Sequence, residues 1–175
     1  MSIISGIFIS VLGTLLHFTY GWFGKNSLIG AFSAVNESTW EHLKLMFFPS
    51  IIVTVVGAIY YRGRVPNYVC SRLNGMLVAM VFIVTFFYTS MGVIGKNYAI
   101  LNILTFYVAV IIGEYVVWRM IKVMKVCNAR KAWIIWGILL VCFVIFTYKA
   151  PEIGLFKDPI DGGYGIVESQ RIICS

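Results

Sequence analysis

Five long apolar runs decide most of what this chain can fold into. They cover residues 3–23, 38–61, 73–92, 98–119 and 132–148. Each is close to the roughly 20 residues that a helix needs to cross the hydrocarbon core of a bilayer. Inside a bilayer every backbone amide must be paired within the protein, so only helices and closed barrels can span. Barrel strands read as ~10-residue segments of alternating polarity, and these runs are longer and do not alternate. The expectation is an all-α integral membrane protein, a bundle of about five transmembrane helices. Composition agrees: 60% of the residues are hydrophobic and 12% charged, about half the charge of a typical soluble domain.

The first run lacks a basic segment before it and a small-x-small cleavage site, so it is read as a retained span rather than a signal peptide. Residues 1–149 are then a five-helix transmembrane domain, and residues 150–175 an extracytoplasmic tail. The connections are short, so helices adjacent in sequence are expected to be neighbours in space. There is no internal repeat or inverted symmetry of the transporter kind.

Basic residues gather in two of the connections. Arg62, Arg64 and Arg72 lie between the second and third runs, and Arg119, Lys122, Lys125, Arg130 and Lys131 between the fourth and fifth. The positive-inside rule puts both in the cytoplasm, with the N-terminus inside and the C-terminus outside. Glu37, Glu41, Glu152, Asp158, Asp161 and Glu168 fall on the opposite, outer side, and Glu114 is the exception. The net charge of +7 thus reflects topology and anionic head groups. The partner implied is the lipid bilayer of a cell membrane, crossed several times. Nucleic acid is excluded, since the basic residues flank spans and no recognition motif accompanies them. Cys70, Cys127, Cys142 and Cys174 form no C-x-x-C pair; no disulfide is expected, and they read as small hydrophobes.

Polar side chains inside spans are costly and face the bundle or a wet cavity. In the first run Gly6, Ser10, Gly13, His17, Gly21 and Gly24 recur at helical spacing, which places His17 on a small-residue face turned inward. The second run opens on Asn36-Glu37-Ser38-Thr39-Trp40-Glu41-His42-Leu43-Lys44. Ser38 and Glu41 fit a capping box, and Trp40 suits the interface. That bland role leaves His42 and Lys44 unexplained. Behind them His42, Met46, Ser50, Thr54 and Gly57 make a second small or polar face. Pro49 leaves the Leu45 carbonyl without its helical donor, which is either packing geometry or a cavity lining. Asn102, Thr105, Ala109 and Gly113 form a third such face.

These faces imply one outward polar pocket, with His17, Glu37, Glu41, His42, Lys44, Asn102 and Asp158 as its candidate residues. Thr85, Tyr88 and Thr89, Asn97, and Tyr148 with Lys149 fall at the same end, and the turn-rich tail is read as a cover. Imidazole and carboxylate together suit a divalent metal, so His17, Glu41 and His42 are the candidate ligands. No H-x-x-x-H or H-E-x-x-H spacing supports this, and a plain hydrogen-bonded network is the competing account. Bis-histidine haem binding has no accompanying motif. Glu114 reads as an ion pair with Arg72, Arg119 or Lys122, or as a proton-relay carboxylate.

Val35-Asn36-Glu37-Ser38, Trp40-Glu41-His42 and Lys44-Leu45, with Phe156, Asp158-Pro159 and Tyr164-Gly165-Ile166 in the tail, resemble a family of small multipass membrane proteins of Gram-positive bacteria, catalogued as a domain of unknown function. The resemblance runs from the histidine of the first helix to Ile166. Ala34 departs from it, standing where proline is expected. It implies a bacterial membrane setting and supplies no reaction. Three function classes therefore stay open. One is a module that binds or passes a small ligand, ion or lipid group. The second is a membrane-embedded, metal-dependent hydrolase or transferase. The third is an interaction or immunity protein.

Overall fold

The computed structural model describes residues 2–166. Glu168 and Cys174, assigned to the outer side from sequence, lie outside the described residues. Among the described residues there are six helices: α1 (Ser2–Trp22), a single turn α2 (Ser27–Gly30), α3 (Thr39–Tyr61), α4 (Tyr68–Ile94), α5 (Ala99–Val123) and α6 (Ala129–Tyr148). All but α2 are long and apolar enough to cross a membrane. The described residues hold no strand, only an isolated antiparallel bridge between Lys157 and Tyr164 in the tail.

The exterior fits that reading. Ile3, Ile111 and Val81 are 78%, 68% and 64% exposed, and they belong to a coat of exposed aliphatic side chains on every long helix. Water would penalise such a surface, whereas lipid tails solvate it. Two charged residues that interrupt the apolar runs sit inside helices. α4 starts at Tyr68, ahead of residue 73, and carries Arg72 because the guanidinium meets Glu114 of α5 at 2.6 Å. α5 continues past residue 119 to Val123, where Lys122 lies over the Trp118 ring at 3.8 Å from its centre.

The helices run up and down, and α1, α3, α4 and α5 form a ring. α1 packs on α3 and α5, and α4 packs on the same two helices. α6 breaks the neighbour rule: it packs on α4 and α3 more than on α5, its predecessor in sequence. The flank of α5 is already taken by α1, through Ser5 Oγ donating to Glu114 at 2.6 Å and the Thr14–Tyr107 hydroxyl pair at 3.0 Å.

Small residues set the closest approaches, as packing in lipid requires. A Cβ at Gly75 of α4 would come 2.6 Å from the Gly113 carbonyl oxygen of α5. On α3, Gly57 leaves room for Tyr68, whose hydroxyl donates to the Val53 carbonyl at 3.0 Å. The expected inward faces of α3 and α5 are confirmed, since Met46, Ser50, Thr54, Thr105 and Ala109 are all buried. The α1 face ends at His17: nothing stands within 4 Å of a Cβ at Gly21. Gly24 instead adopts φ +62° in the turn that leaves the helix.

The arginine end of the bundle, where α3 passes to α4 and α5 to α6, holds a correction. Cys70 and Cys127 are joined by a disulfide, with Cα atoms 5.9 Å apart and a separation of 57 positions along the sequence. No spacing motif announces such a pair. The antiparallel return of α5 beside the start of α4 creates it. The amide of Asn67 fixes the same junction by donating to the carbonyls of Met120, Ile121 and Met124 at 3.1, 3.0 and 2.8 Å. These carbonyls lie at the C-terminal end of α5, where helical donors run out; Met120 also accepts from the Met124 amide at 2.9 Å.

Candidate functional site

The opposite end begins with a helix start. Ser38 sits in extended backbone at the N-cap of α3, and its Oγ accepts from the Glu41 amide at 3.4 Å. Only half of the capping box forms. The Glu41 carboxylate turns instead to Lys44 Nζ at 2.6 Å and to the Val35 amide at 3.0 Å. Lys44 also donates to the Gly30 carbonyl at 2.7 Å and to Thr147 Oγ1 at 2.9 Å. Both charges are buried, and each lysine proton has an acceptor. This pair ties the loop after α2 and the end of α6 to the first turn of α3. It is structural, and neither side chain reaches the cavity described next.

A cavity of about 440 Å³ opens between α1, α3, α4 and α5 at this end. Its polar lining includes Thr14, His17, Glu37, His42, Asn97 and Asn102. Phe87, Ile103 and Phe106 close its apolar side, and Pro159 with Ile160 of the tail complete its rim. The Leu45 carbonyl released by Pro49 faces Gly13 of α1, where a Cβ would stand 2.7 Å from that oxygen, and both residues belong to the cavity lining. Thr85, Tyr88, Thr89 and Lys149 are not among the lining residues, and α6 stays outside. Tyr148 donates to the Ser27 carbonyl at 2.7 Å instead.

Within the cavity His17, Glu37 and His42 converge. His17 Nε2 lies 3.8 Å from Glu37 Oε1, and His42 Nε2 lies 3.4 Å from Glu37 Oε2. The ring centres are 5.4 Å apart. One potential ligand atom from each of the three residues falls within 4.8 Å of the other two. The sequence singled out both histidines but paired them with Glu41. The carboxylate that reaches them is Glu37, because residue 37 precedes the helix and folds back over its end, while Glu41 faces Lys44. His42 Nδ1 lies 2.9 Å from the Ser38 carbonyl oxygen, four residues earlier. A carbonyl only accepts, so this contact puts a proton on Nδ1, and in the neutral ring Nε2 is the acceptor that faces Glu37.

The tail positions Glu37 from behind. Asp158, buried, accepts from the Glu37 amide at 2.9 Å and from the Ile160 amide at 2.7 Å. Trp40 donates its backbone amide to the Leu155 carbonyl at 3.0 Å and packs its ring against Phe156 and Phe143. The tail is thus folded onto the bundle end, and Asp158 acts through a backbone contact. Asn102 donates to Asn97 Oδ1 at 2.9 Å across the cavity wall. Glu114 belongs to the far end, where it takes Arg72 and Ser5, and a lateral groove of about 490 Å³ between α1 and α5 runs past it.

Residues 1–166 match the model of a family of unknown function, DUF6512, and the chain belongs to that family. No curated protein and no solved structure matches it.

Proposed function

We propose that the chain is a multi-pass membrane module whose histidine end faces outward and whose roofed cavity takes up a small polar ligand or ion from that side. The observation that carries this reading is the meeting of His17, Glu37 and His42 on the cavity wall. Other strong polar groups of that end serve the fold. Glu41 and Lys44 neutralise each other, and Asp158 holds backbone amides. The triad ties no two elements by an ion pair closer than 3.4 Å. Polar side chains kept in a membrane interior without a packing duty are the usual mark of a substrate or ion path.

The positive-inside rule supports the direction, since Arg62, Arg64, Lys125, Arg130 and Lys131 lie at the opposite end. A cavity of a few hundred Å³ with a few placed polar groups suits a small molecule or solvated ion.

Cysteine labelling in intact cells tests access. A membrane-impermeant maleimide is expected to modify Asn102→Cys above the signal of the parent chain and to leave Ile111→Cys, on the lipid face, unmodified. Failure to label position 102 from outside would remove the proposal.

A further inference from the structure

We propose that His17, Glu37 and His42 bind a divalent transition-metal ion of the zinc type, with a fourth coordination position open to the cavity. The proposal rests on the cavity being a ligand site and names the ion held there.

The first argument is electrostatic. With its proton committed to Ser38, a neutral His42 ring presents a lone pair to a carboxylate oxygen 3.4 Å away. Two acceptors facing each other repel unless a positive centre lies between them. A proton on Nε2 would draw the pair towards the ~2.7–2.9 Å of a charge-assisted hydrogen bond. Two ligand atoms each 2.0–2.1 Å from a tetrahedral zinc ion stand ~3.3 Å apart instead. The observed 3.4 and 3.8 Å separations suit the metal better.

The second argument concerns uncommitted donors. His17 Nδ1 is buried without a hydrogen-bond partner, and Nε2 meets only Glu37, beyond hydrogen-bond range at 3.8 Å. Among the described residues no lysine or arginine sits on Glu37, which divides its two oxygens between the two rings. His42 already has the arrangement typical of a metal ligand, in which the second ring nitrogen donates to a backbone carbonyl and fixes the tautomer. Asp158 stands one step further out and holds the Glu37 backbone.

The donor set selects the ion. Two imidazoles and one carboxylate suit zinc and its neighbours, whereas calcium and magnesium require six or more oxygens. Three protein ligands leave one position free, and all three line the cavity, so that position faces the incoming ligand. Atoms sharing one zinc ion can be no more than ~4.2 Å apart. The candidate ligand atoms lie within 4.8 Å of one another, so loading requires at most a movement of about half an ångström. Glu37, partly exposed and ahead of the helix, has the freedom to make that move.

The test uses the full chain without an affinity tag, purified in detergent and stripped by a chelator. Titration with Zn²⁺ alone should give one ion per chain. His17→Ala, His42→Ala and Glu37→Gln should each weaken binding about 100-fold or more, at least the loss seen when a mere supporting residue is removed. Lys96→Gln, on the exposed connection at the same end, should leave it unchanged. Cobalt(II) provides a readout that needs only the parent protein: visible absorption typical of a four-coordinate site. A folded parent protein that takes up no stoichiometric Zn²⁺ overturns the proposal, as does Zn²⁺ binding that survives loss of both histidines. Labelling at position 102 without Zn²⁺ uptake would sink the metal and spare the cavity. No labelling would sink the cavity reading whatever Zn²⁺ does.

Discussion

Lys44 and Glu41 show how the same residue types take different roles a few positions apart. Their side chains are 0% and 2% exposed and 2.6 Å apart. Removing one partner of a buried pair strands the other charge, which typically costs about 3–5 kcal/mol. Lys44→Met or Glu41→Gln is therefore expected to lower stability by that amount in a detergent unfolding titration, and the double variant by clearly less than the two losses added. Simple additivity would mean that the pair does not act as a unit. His42 has no comparable partner. His42→Asn should leave the unfolding midpoint nearly unchanged while it abolishes metal binding; a large stability loss would mark it as packing instead. The sequence flagged all three residues, and their chemistry alone could not divide them into staple and site. That division depends on which way residues 37 and 41 face, one before the helix start and one inside it.

At the scale of elements, α4 and α5 are held by close backbone approach and by one side-chain amide. Gly75→Val would force its Cβ to within 2.6 Å of the Gly113 carbonyl oxygen and 2.5 Å of Val117 Cγ2. Overpacking of this sort typically costs about 1–3 kcal/mol, and the two helices should separate. A melting temperature equal to that of the parent would contradict the contact. Asn67→Ala removes the side-chain amide that donates to the carbonyls of Met120, Ile121 and Met124. Faster amide hydrogen exchange confined to the last turn of α5 is expected, and unchanged exchange there would refute the cap. Helical periodicity marked the small faces of α1, α3 and α5 in advance, because a 3.6-residue repeat aligns them whatever the neighbours are. It did not show that α6 would leave α5 for α4 and α3. Connection length limits how far a helix can travel, and the choice of partner depends on which flank is still unoccupied.

For the whole molecule, orientation and disulfide state are linked. Cys70 and Cys127 lie at the arginine end, which the charge rule assigns to the cytoplasm, where thiols are normally kept reduced. With that orientation the pair should be alkylated as free thiols when cells are lysed directly into denaturant and reagent. It should close, with loss of two hydrogen atoms by mass, once the purified protein is treated with an oxidant that takes up the two electrons. A bond already closed in the cell would reverse the orientation and the direction in which the cavity faces. By itself the sequence determined that the chain is an all-helical bundle with five segments able to span. Burial of backbone amides in lipid leaves few alternatives, and run length and polarity are local properties. It also singled out His17 and His42, since imidazoles are expensive in an apolar run wherever the fold places them. Only the tertiary structure exchanged Glu41 for Glu37 beside those rings, brought Cys70 to Cys127, and laid Asp158 behind the triad. Each of these depends on chain reversals between distant segments, and their geometry is set by packing rather than by spacing along the sequence.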